Sequence, residues 1–337
     1  MPCAGRSSRF PNMRPKYLLT DFSGKLMIQR SVEKYVENNQ VHIIILREHI
    51  RDYDAFNILS DAFKGKVNII ILENPTNGPA ETVFQALKEL DIENDFIVKD
   101  CDSFFDFEIE NGNIVYTSRL SKNPSLKNVC QLGYVICNDQ NIISNLVEKK
   151  IVSDNFCVGG YQFKSKKRFI EVFEKLGVNH SELYISNIID YMIMNGDVFV
   201  QREVYNYVNV GTADAWFEFN NKPTFFCDID GVIIKNKSAY GKNKYHTNYE
   251  PLQKNLDTLK NKLRNGSTII FVTARNKAFY DVTRKMLDEL GFEGCDLIMG
   301  LNHSKRYIIN DFDFSNPYPS CVAVNLKRNG ENLNEYI

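Results

Sequence analysis

The sequence predicts an α/β protein built as two successive units, and three observations carry that expectation. Continuous apolar runs, VHIIIL at 41–46 and VNIIIL at 67–72, alternate with amphipathic segments of helical period. A polar stretch containing a proline, FEFNNKPT at 217–224, breaks this rhythm, and FFCDIDGVII at 225–234 restarts it. A chain of 337 residues is also long for one core and suits two, at about 150 residues per domain.

Each element follows from its local pattern. MIQRSVEKYVENN (27–39), YDAFNILSDAF (53–63) and AETVFQALKEL (80–90) carry apolar residues at helical spacing. Between them the Ile/Val/Leu runs read as strands buried on both faces, which implies a parallel sheet under helices. DFIVKD (95–100) is a further strand, and 106–165 is rich in strands and turns, with GNIVYTSR, VCQLGYVIC and FCVGGYQF interrupting the helical alternation. Helices return at 166–176 and 184–195. The expected boundary gives units of 1–220 and 221–337. In the second, strands are expected at 224–228, 267–273, 296–299, 306–310 and 320–326, with helices at 251–265 and 277–290.

Composition narrows the function classes. The 41 basic and 42 acidic side chains leave a net charge of −1, so no overall field draws the chain to nucleic acid or to an anionic membrane. The eight cysteines form no C-x-x-C pair and lie mostly in apolar runs, the usage of buried free thiols in a reducing cytoplasm. No apolar run has the length of a membrane span and no signal peptide opens the chain, so a cytoplasmic protein is expected.

The first candidate site lies at the start of the chain. In α/β sheets ligands sit at the carboxyl ends of strands, where loops of small residues let backbone amides approach a phosphate chain. Ala4, Gly5, Ser7 and Ser8 suit that task, and Arg9 and Lys16 add fixed positive charge for a phosphoryl group under attack. Asp100 and Asp102 form a D-x-D at a strand end, suited to a divalent cation, to helix capping or to solvent exposure.

These residues carry a resemblance. AGRSSRFPNMRPKYLL (4–19) resembles the G-x-G-[ST]-R-[FL]…P-K-x-L-L loop of sugar-phosphate nucleotidyltransferases, and the similarity extends over roughly 1–216. The resemblance implies that Arg9 and Lys16 bind the triphosphate and stabilise the reacting α-phosphate. NGPAETV (77–83) is similar to the segment holding the base, which assigns Asn77, Gly78, Pro79 and Ala80 to nucleotide binding. Asp102 matches the family's magnesium ligand, with Asp100 as an added carboxylate. VEKKIVSDNFCVGGYQF (147–163) resembles the acceptor segment and places Glu148, Lys149 and Gly160 at the sugar phosphate. YVNVGTADAW (207–216) resembles the closing segment, with Asn209 where many relatives have a metal-binding aspartate and Asp214 as the alternative. Relatives carry an apolar strand before the loop; here only Met1 precedes Pro2, which points to a misassigned start or a truncated chain.

The implied chemistry needs little general base. An acceptor phosphate monoester is mostly ionised at neutrality, its second pKa being about 6, and can attack the α-phosphate directly. Alignment and cationic neutralisation, with Mg²⁺ as cofactor, then carry the reaction while pyrophosphate leaves. CTP is the favoured nucleotide by resemblance to capsule-type cytidylyltransferases, and a sugar or polyol phosphate is the acceptor. A glycosyltransferase of related fold also uses a D-x-D, but such enzymes usually lack the amino-terminal phosphate loop with its lysine.

A second site begins at Asp228 and Asp230, placed by FFCDIDGVII at the end of an apolar strand. Alone, the D-x-D-G would also suit a calcium-type loop or a plain turn. Together with Thr273 in TIIFVTAR and with Lys305 and Asp311/Asp313 in HSKRYIINDFD, it resembles the four motifs of the haloacid dehalogenase (HAD) superfamily of phosphatases over 222–328. The resemblance implies that Asp228 attacks phosphorus and Asp230 shuttles the proton, while Thr273 and Lys305 hold the phosphoryl group. Mg²⁺ would rest on Asp228, the Ile229 carbonyl and Asp311, with Asp230 also assigned to the metal. About forty residues separate motifs I and II, and with part of them in the 251–265 helix there is room for only a minimal cap.

The fold class expected is therefore α/β throughout: a Rossmann-like mixed sheet with a β-rich insert, then a HAD-like Rossmannoid domain. The expected function is a bifunctional enzyme of surface polysaccharide (capsule) precursor synthesis, with a possible homo-oligomer as its assembly. The alternative is a phosphatase whose N-terminal domain only binds a nucleotide-sugar. His42, His49 and His180 are expected to be satisfied structural residues, Trp216 to pack between domains, and His246 and the tyrosines of SAYGKNKYHTNY to face substrate on even terms with a structural role.

Overall fold

The computed structural model describes residues 1–5, 7–92, 95–177, 183–236, 249–310 and 321–337. These divide into two compact units, Met1–Trp216 and Phe217–Ile337.

In the first unit, β1 (His42–Leu46) runs parallel to β2 (Asn68–Leu72), Ile44 opposite Ile70. The first residues lie along β1: the Cys3 amide donates to the Ile44 carbonyl at 2.9 Å and the Ile44 amide to the Met1 carbonyl at 3.1 Å. Helices α1 (Met27–Val32), α2 (Arg47–Tyr53), α3 (Ala55–Ala62) and α4 (Pro79–Glu89) surround this pair in sequence. The apolar faces of α1 and α3 meet β1 in one cluster containing Ile28, Ile43, Ile45 and Leu59. The helix expected from 27 stops at Val32; beyond it Glu33 pairs with Lys25 and Lys34 with Asp106.

The β-rich segment builds a mixed sheet. It contains β3 (Phe96–Lys99), β5 (Asn113–Arg119), β6 (Gly133–Cys137), β7 (Ile143–Glu148), β8 (Asn155–Phe163) and β9 (Phe199–Glu203), in the order β7-β6-β8-β5-β9 with β3 also on β8. Only β5 and β9 pair in parallel; β3, β5 and β6 are antiparallel to β8. The parallel pairing expected of the early strands is present in β1–β2, and the expected β-rich insert forms the mixed sheet, with β5–β9 its parallel pair. Strand β8 is buried from Phe156 to Phe163, in keeping with its mostly small and apolar residues; Gln162 is the buried amide among them. On one side Val115 and Phe163 pack with α4, α5 (Lys166–Leu176) and α6 (Ile185–Met194); on the other Ile114, Tyr116, Phe156 and Val158 pack with Phe105. A short antiparallel pair, β4 (Ser103–Asp106) with β10 (Tyr205–Asn209), sets Asn209 opposite Ser103. Helix α7 (Ala213–Asn220) follows, with Trp216 buried.

The second unit has three parallel strands in the order β11 (Thr224–Asp228), β12 (Thr268–Thr273), β13 (Asp296–Met299). Helices α8 (Gln253–Arg264) and α9 (Tyr280–Glu289) cover them through Leu256, Leu259, Met286 and Leu287. Strands expected at 306–310 and 320–326 are not formed among the described residues. Tyr307 is 79% and Ile309 94% exposed. Among the described residues β11 pairs only with β12, and the run at 306–310 does not fill its open edge: apolar content favours burial but does not itself specify a pairing partner. No described helix is long and apolar enough to cross a membrane.

The cysteines are unpaired among the described residues: Cys3, Cys101, Cys157 and Cys227 are buried as expected, whereas Cys130 and Cys321 are exposed. His49 lies in α2 rather than in a loop and is buried, with Tyr17 Oη 3.0 Å from its Nδ1. Among the described residues the ring nitrogens of His42 have no partner, so that histidine is not the satisfied one expected. His180, His246, Tyr240, Tyr245, Asp311 and Asp313 lie outside the described residues.

Candidate functional site

The loop between Cys3 and Lys16 is shaped by its own side chains. Ser7 adopts a left-handed conformation, φ 48°, and its Oγ accepts from the Lys16 amide at 3.2 Å. Phe10 is buried beneath the loop, and the Phe10 amide closes a turn on the Ser7 carbonyl at 2.8 Å. Ala4 is fully buried against Ile44 and Leu46, while Gly5 has open space where a side chain would stand. Ser8 and the Arg9 side chain are exposed.

Lys16 follows this loop, and its Nζ donates to Asp102 Oδ2 at 2.6 Å; Arg9 Nη2 approaches the same oxygen at 3.5 Å. The Asp102 side chain is 9% exposed and that of Lys16 22%. Burial pushes the Asp102 carboxyl up, but Lys16 and Arg9 outweigh it and hold it below the ordinary range. The converse holds for Lys16: burial would lower it, and Asp102 raises it instead.

Gly211 completes the cluster. A methyl group in place of its α-hydrogen would stand 3.0 Å from Asp102 Oδ2, 3.1 Å from Asn209 Oδ1 and 3.4 Å from Arg9 Nη1. Four segments therefore converge on one small space: the basic loop, the turn after β3, the end of β10, and the turn before α7. Asn209 Oδ1 accepts from the Gly211 amide at 2.8 Å, and the Val210 amide donates to the Asp102 carbonyl at 3.0 Å. Asp214 lies on the exposed side of α7's first turn.

Asp100 sits deeper. Burial and the neighbouring charge of Asp102 push its carboxyl up to about 6. The Asp100 amide donates to the Gly159 carbonyl at 2.8 Å, and Gly159 has φ +79° with no room for a side chain: a methyl there would stand 2.5 Å from Asp100 Oδ2. Gly160, expected at the acceptor, instead backs onto Phe105 and Tyr116. Behind the D-x-D lies Lys99, whose ammonium burial pulls down to about 7.

The other expected binding residues are spread along neighbouring elements. Gly78 precedes α4, Pro79 opens it, and Asn77 donates to Glu81 Oε2 from both its amide, at 2.7 Å, and its side chain, at 3.0 Å. Ala80 is fully buried, in the core cluster that also holds residues of α6 and β8. The Glu148 carboxylate lies over Gly133, and Lys149, at φ 57°, donates to Tyr184 Oη at 3.0 Å.

The donor set fits a small hard cation. Asp102, Asn209 and the adjacent Asp100 offer oxygen ligands, and Mg²⁺ is commonly held by one or two carboxylates together with substrate phosphates. Among the described residues no group of three or more His, Cys, Asp or Glu forms a self-sufficient metal cage.

In the second unit Asp228 ends β11 and Thr273 ends β12, at the same edge of the parallel sheet. Asp228 Oδ1 accepts from the Ile229 amide at 3.0 Å, and burial raises this carboxyl above its ordinary value. Asp230 is gripped by Arg275, Nε to Oδ2 at 2.7 Å and Nη2 to Oδ1 at 2.8 Å. Thr273 Oγ1 accepts from the Arg275 amide at 3.1 Å. The cation that meets Asp228 is Arg306, Nη1 to Oδ2 at 3.7 Å, while Lys305 is exposed.

The N-terminal part of this chain shares its fold with solved nucleotidyltransferases. A nucleoside-diphosphate-sugar pyrophosphorylase from Vibrio cholerae matches with 20% identity and a TM-score of 0.56, over 65% of this chain and 97% of that one. An inositol-1-phosphate CTP transferase from T. maritima matches with 14% identity and a TM-score of 0.53, over 63% and 88%. The apo form of a UDP-glucose pyrophosphorylase matches with 15% identity and a TM-score of 0.51, over 65% and 95%. At these identities the likeness is one of fold. No protein-family model matches the sequence, and no curated protein matches it.

Sequence reasoning missed Gly159, Gly211, Arg275 and Arg306. All four stood inside quoted motifs, FCVGGYQF, GTAD, TIIFVTAR and HSKRYIINDFD, and only the through-space geometry singles them out.

Proposed function

We propose that the first unit transfers a nucleotidyl group from a nucleoside triphosphate, CTP by preference, to a sugar or polyol phosphate, releasing pyrophosphate. The observation that carries this reading is the Lys16–Asp102 contact of 2.6 Å beside Arg9 and Asn209, on a fold shared with nucleotidyltransferases. Lys16 and Arg9 would bind the triphosphate and follow the negative charge that develops on the α-phosphate. Asp102, Asp100 and Asn209 would hold Mg²⁺, which when bound screens the phosphate charges and favours loss of pyrophosphate. Glu148 and Lys149 are the candidates for orienting the acceptor. The choice of CTP rests on the sequence resemblance and accords with the CTP transferase among the similar structures.

The second unit, in the same proposal, is a Mg²⁺-dependent phosphatase acting through an aspartyl phosphate on Asp228. Asp228, Asp230 and Thr273 at one sheet edge support that reading, and so do the motifs around them. The product would serve surface polysaccharide synthesis.

One screen tests both activities: pyrophosphate and phosphate release by the full chain with Mg²⁺, each NTP, and a panel of sugar and polyol phosphates. Pyrophosphate formation with one NTP and one acceptor supports transfer. Silence with every NTP, with phosphate monoesters still cleaved, would overturn transfer and leave a phosphatase carrying a binding module. In Asp228→Asn, phosphate release should vanish and pyrophosphate release persist.

A further inference from the structure

Behind the D-x-D, Lys99 is 4% exposed and lies 3.9 Å from the centroid of the Phe105 ring. Its Nζ donates to Ser31 Oγ at 2.7 Å and to the Ser103 carbonyl at 2.7 Å. Ser31 Oγ in turn donates to the Asp100 carbonyl at 3.0 Å. One amine at the end of β3 and one hydroxyl from α1, an element remote in sequence, therefore tie both ends of the four-residue turn 100–103. Among the described residues no carboxylate accepts a hydrogen bond from it. Burying an ammonium without an ion pair is costly, and a methionine would fill the same volume against Phe105 at less expense in desolvation.

We propose that Lys99 is a positioning residue, a buried brace that with Ser31 fixes the turn carrying Asp100 and Asp102 so that their carboxylates point into the cation site. The inference rests on the nucleotidyl-transfer reading for the identity of that site. The hydrogen bonds run to backbone carbonyls at each end of the turn, so loss of the brace frees the turn without removing either carboxylate.

The test uses the full chain as wild type, Lys99→Met and Ser31→Ala. Mn²⁺ affinity is read by electron paramagnetic resonance titration, and kcat and KM by pyrophosphate release. Residues that orient metal ligands from behind typically change metal affinity or activity by about tenfold to a hundredfold, and a weakening of that size in both readouts is expected for each variant. The acceptor KM should stay within about twofold, because the brace touches the turn and not the acceptor segment. Ser31→Ala keeps every charge, so it carries the test if Lys99→Met does not fold. The proposal is overturned if folded Ser31→Ala binds Mn²⁺ and turns over like wild type, or if Lys99→Met binds Mn²⁺ more tightly, which would make the amine only a repelling charge. Wild type that binds no Mn²⁺ overturns it as well. Wild type that binds Mn²⁺ but transfers nothing, with both variants binding more weakly, would sink the assigned reaction and leave the brace standing.

Discussion

Arg275 holds both oxygens of Asp230, at 2.7 and 2.8 Å, with a guanidinium that is itself buried against Thr283 and Met286. The planar fork fixes the carboxylate's direction as a single ammonium could not. Asp230 is the residue proposed to protonate the leaving oxygen, so its aim matters to the reaction. Arg275→Lys should cut hydrolysis of a small aryl phosphate by about 10²-fold, the size typical of losing a positioned acid or base, while pyrophosphate release is unchanged. Full phosphatase activity in a folded Arg275→Lys chain would show that the Arg275 fork does not set the aim of Asp230.

Lys16→Met should leave the loop folded, since Phe10 and the Ser7 turn anchor it independently of the ammonium. Nucleotidyl transfer should then fall by about 10²–10³ in kcat, as on removal of one preorganised stabiliser of transition-state charge. Thermal unfolding gives the control: a melting curve close to wild type with a large loss of turnover separates chemistry from stability. A loss seen only in KM would make Lys16 a binding residue instead.

The two site glycines should respond differently to alanine. At Gly159 the positive φ and the Asp100 carboxylate both oppose a side chain, so Gly159→Ala should destabilise the fold by about 1–3 kcal/mol and weaken Mn²⁺ binding. At Gly211 the added methyl meets side-chain atoms of Asp102, Asn209 and Arg9, with no positive φ to add strain. Gly211→Ala should therefore lower turnover more than stability. Urea unfolding of both variants beside their kinetics checks the contrast, and equal stability losses would contradict it.

How much of this was legible in the sequence depends on whether a feature is local. The apolar runs at 42–46, 68–72, 224–228 and 268–273 became strands because Ile, Val and Phe in short blocks have few other uses in a soluble core. The meeting of Lys16 with Asp102, 86 positions away, follows the order of motifs. The antiparallel turn of the middle sheet was not legible, because pairing direction depends on which edges are free rather than on composition. Nor were Arg275 with Asp230 or Lys99 with Ser31: an arginine after a strand and a lysine inside one look like surface residues until the partner is known. The run at 306–310 shows the reverse error, since its apolar content named a strand for which no paired edge is found.

His49 gives the first unit an acid-side sensitivity. Burial lowers its pKa below the ordinary 6.5, despite the opposing charges of Glu48 and Asp52, and Tyr17 Oη lies against its Nδ1 at 3.0 Å. Because the folded form holds the proton less readily, the unfolded chain binds more protons as pH falls below about 6.5, and folding stability falls with it. This contribution is complete above 6.5 and is lost as pH drops toward the folded value. His49→Gln removes the titration while keeping a polar partner for Tyr17. Chemical denaturation at pH 7.5, 6.5 and 5.5 should show stability declining less steeply in the variant than in wild type. Parallel declines would mean that His49 titrates alike in both states and that its burial carries no acid penalty.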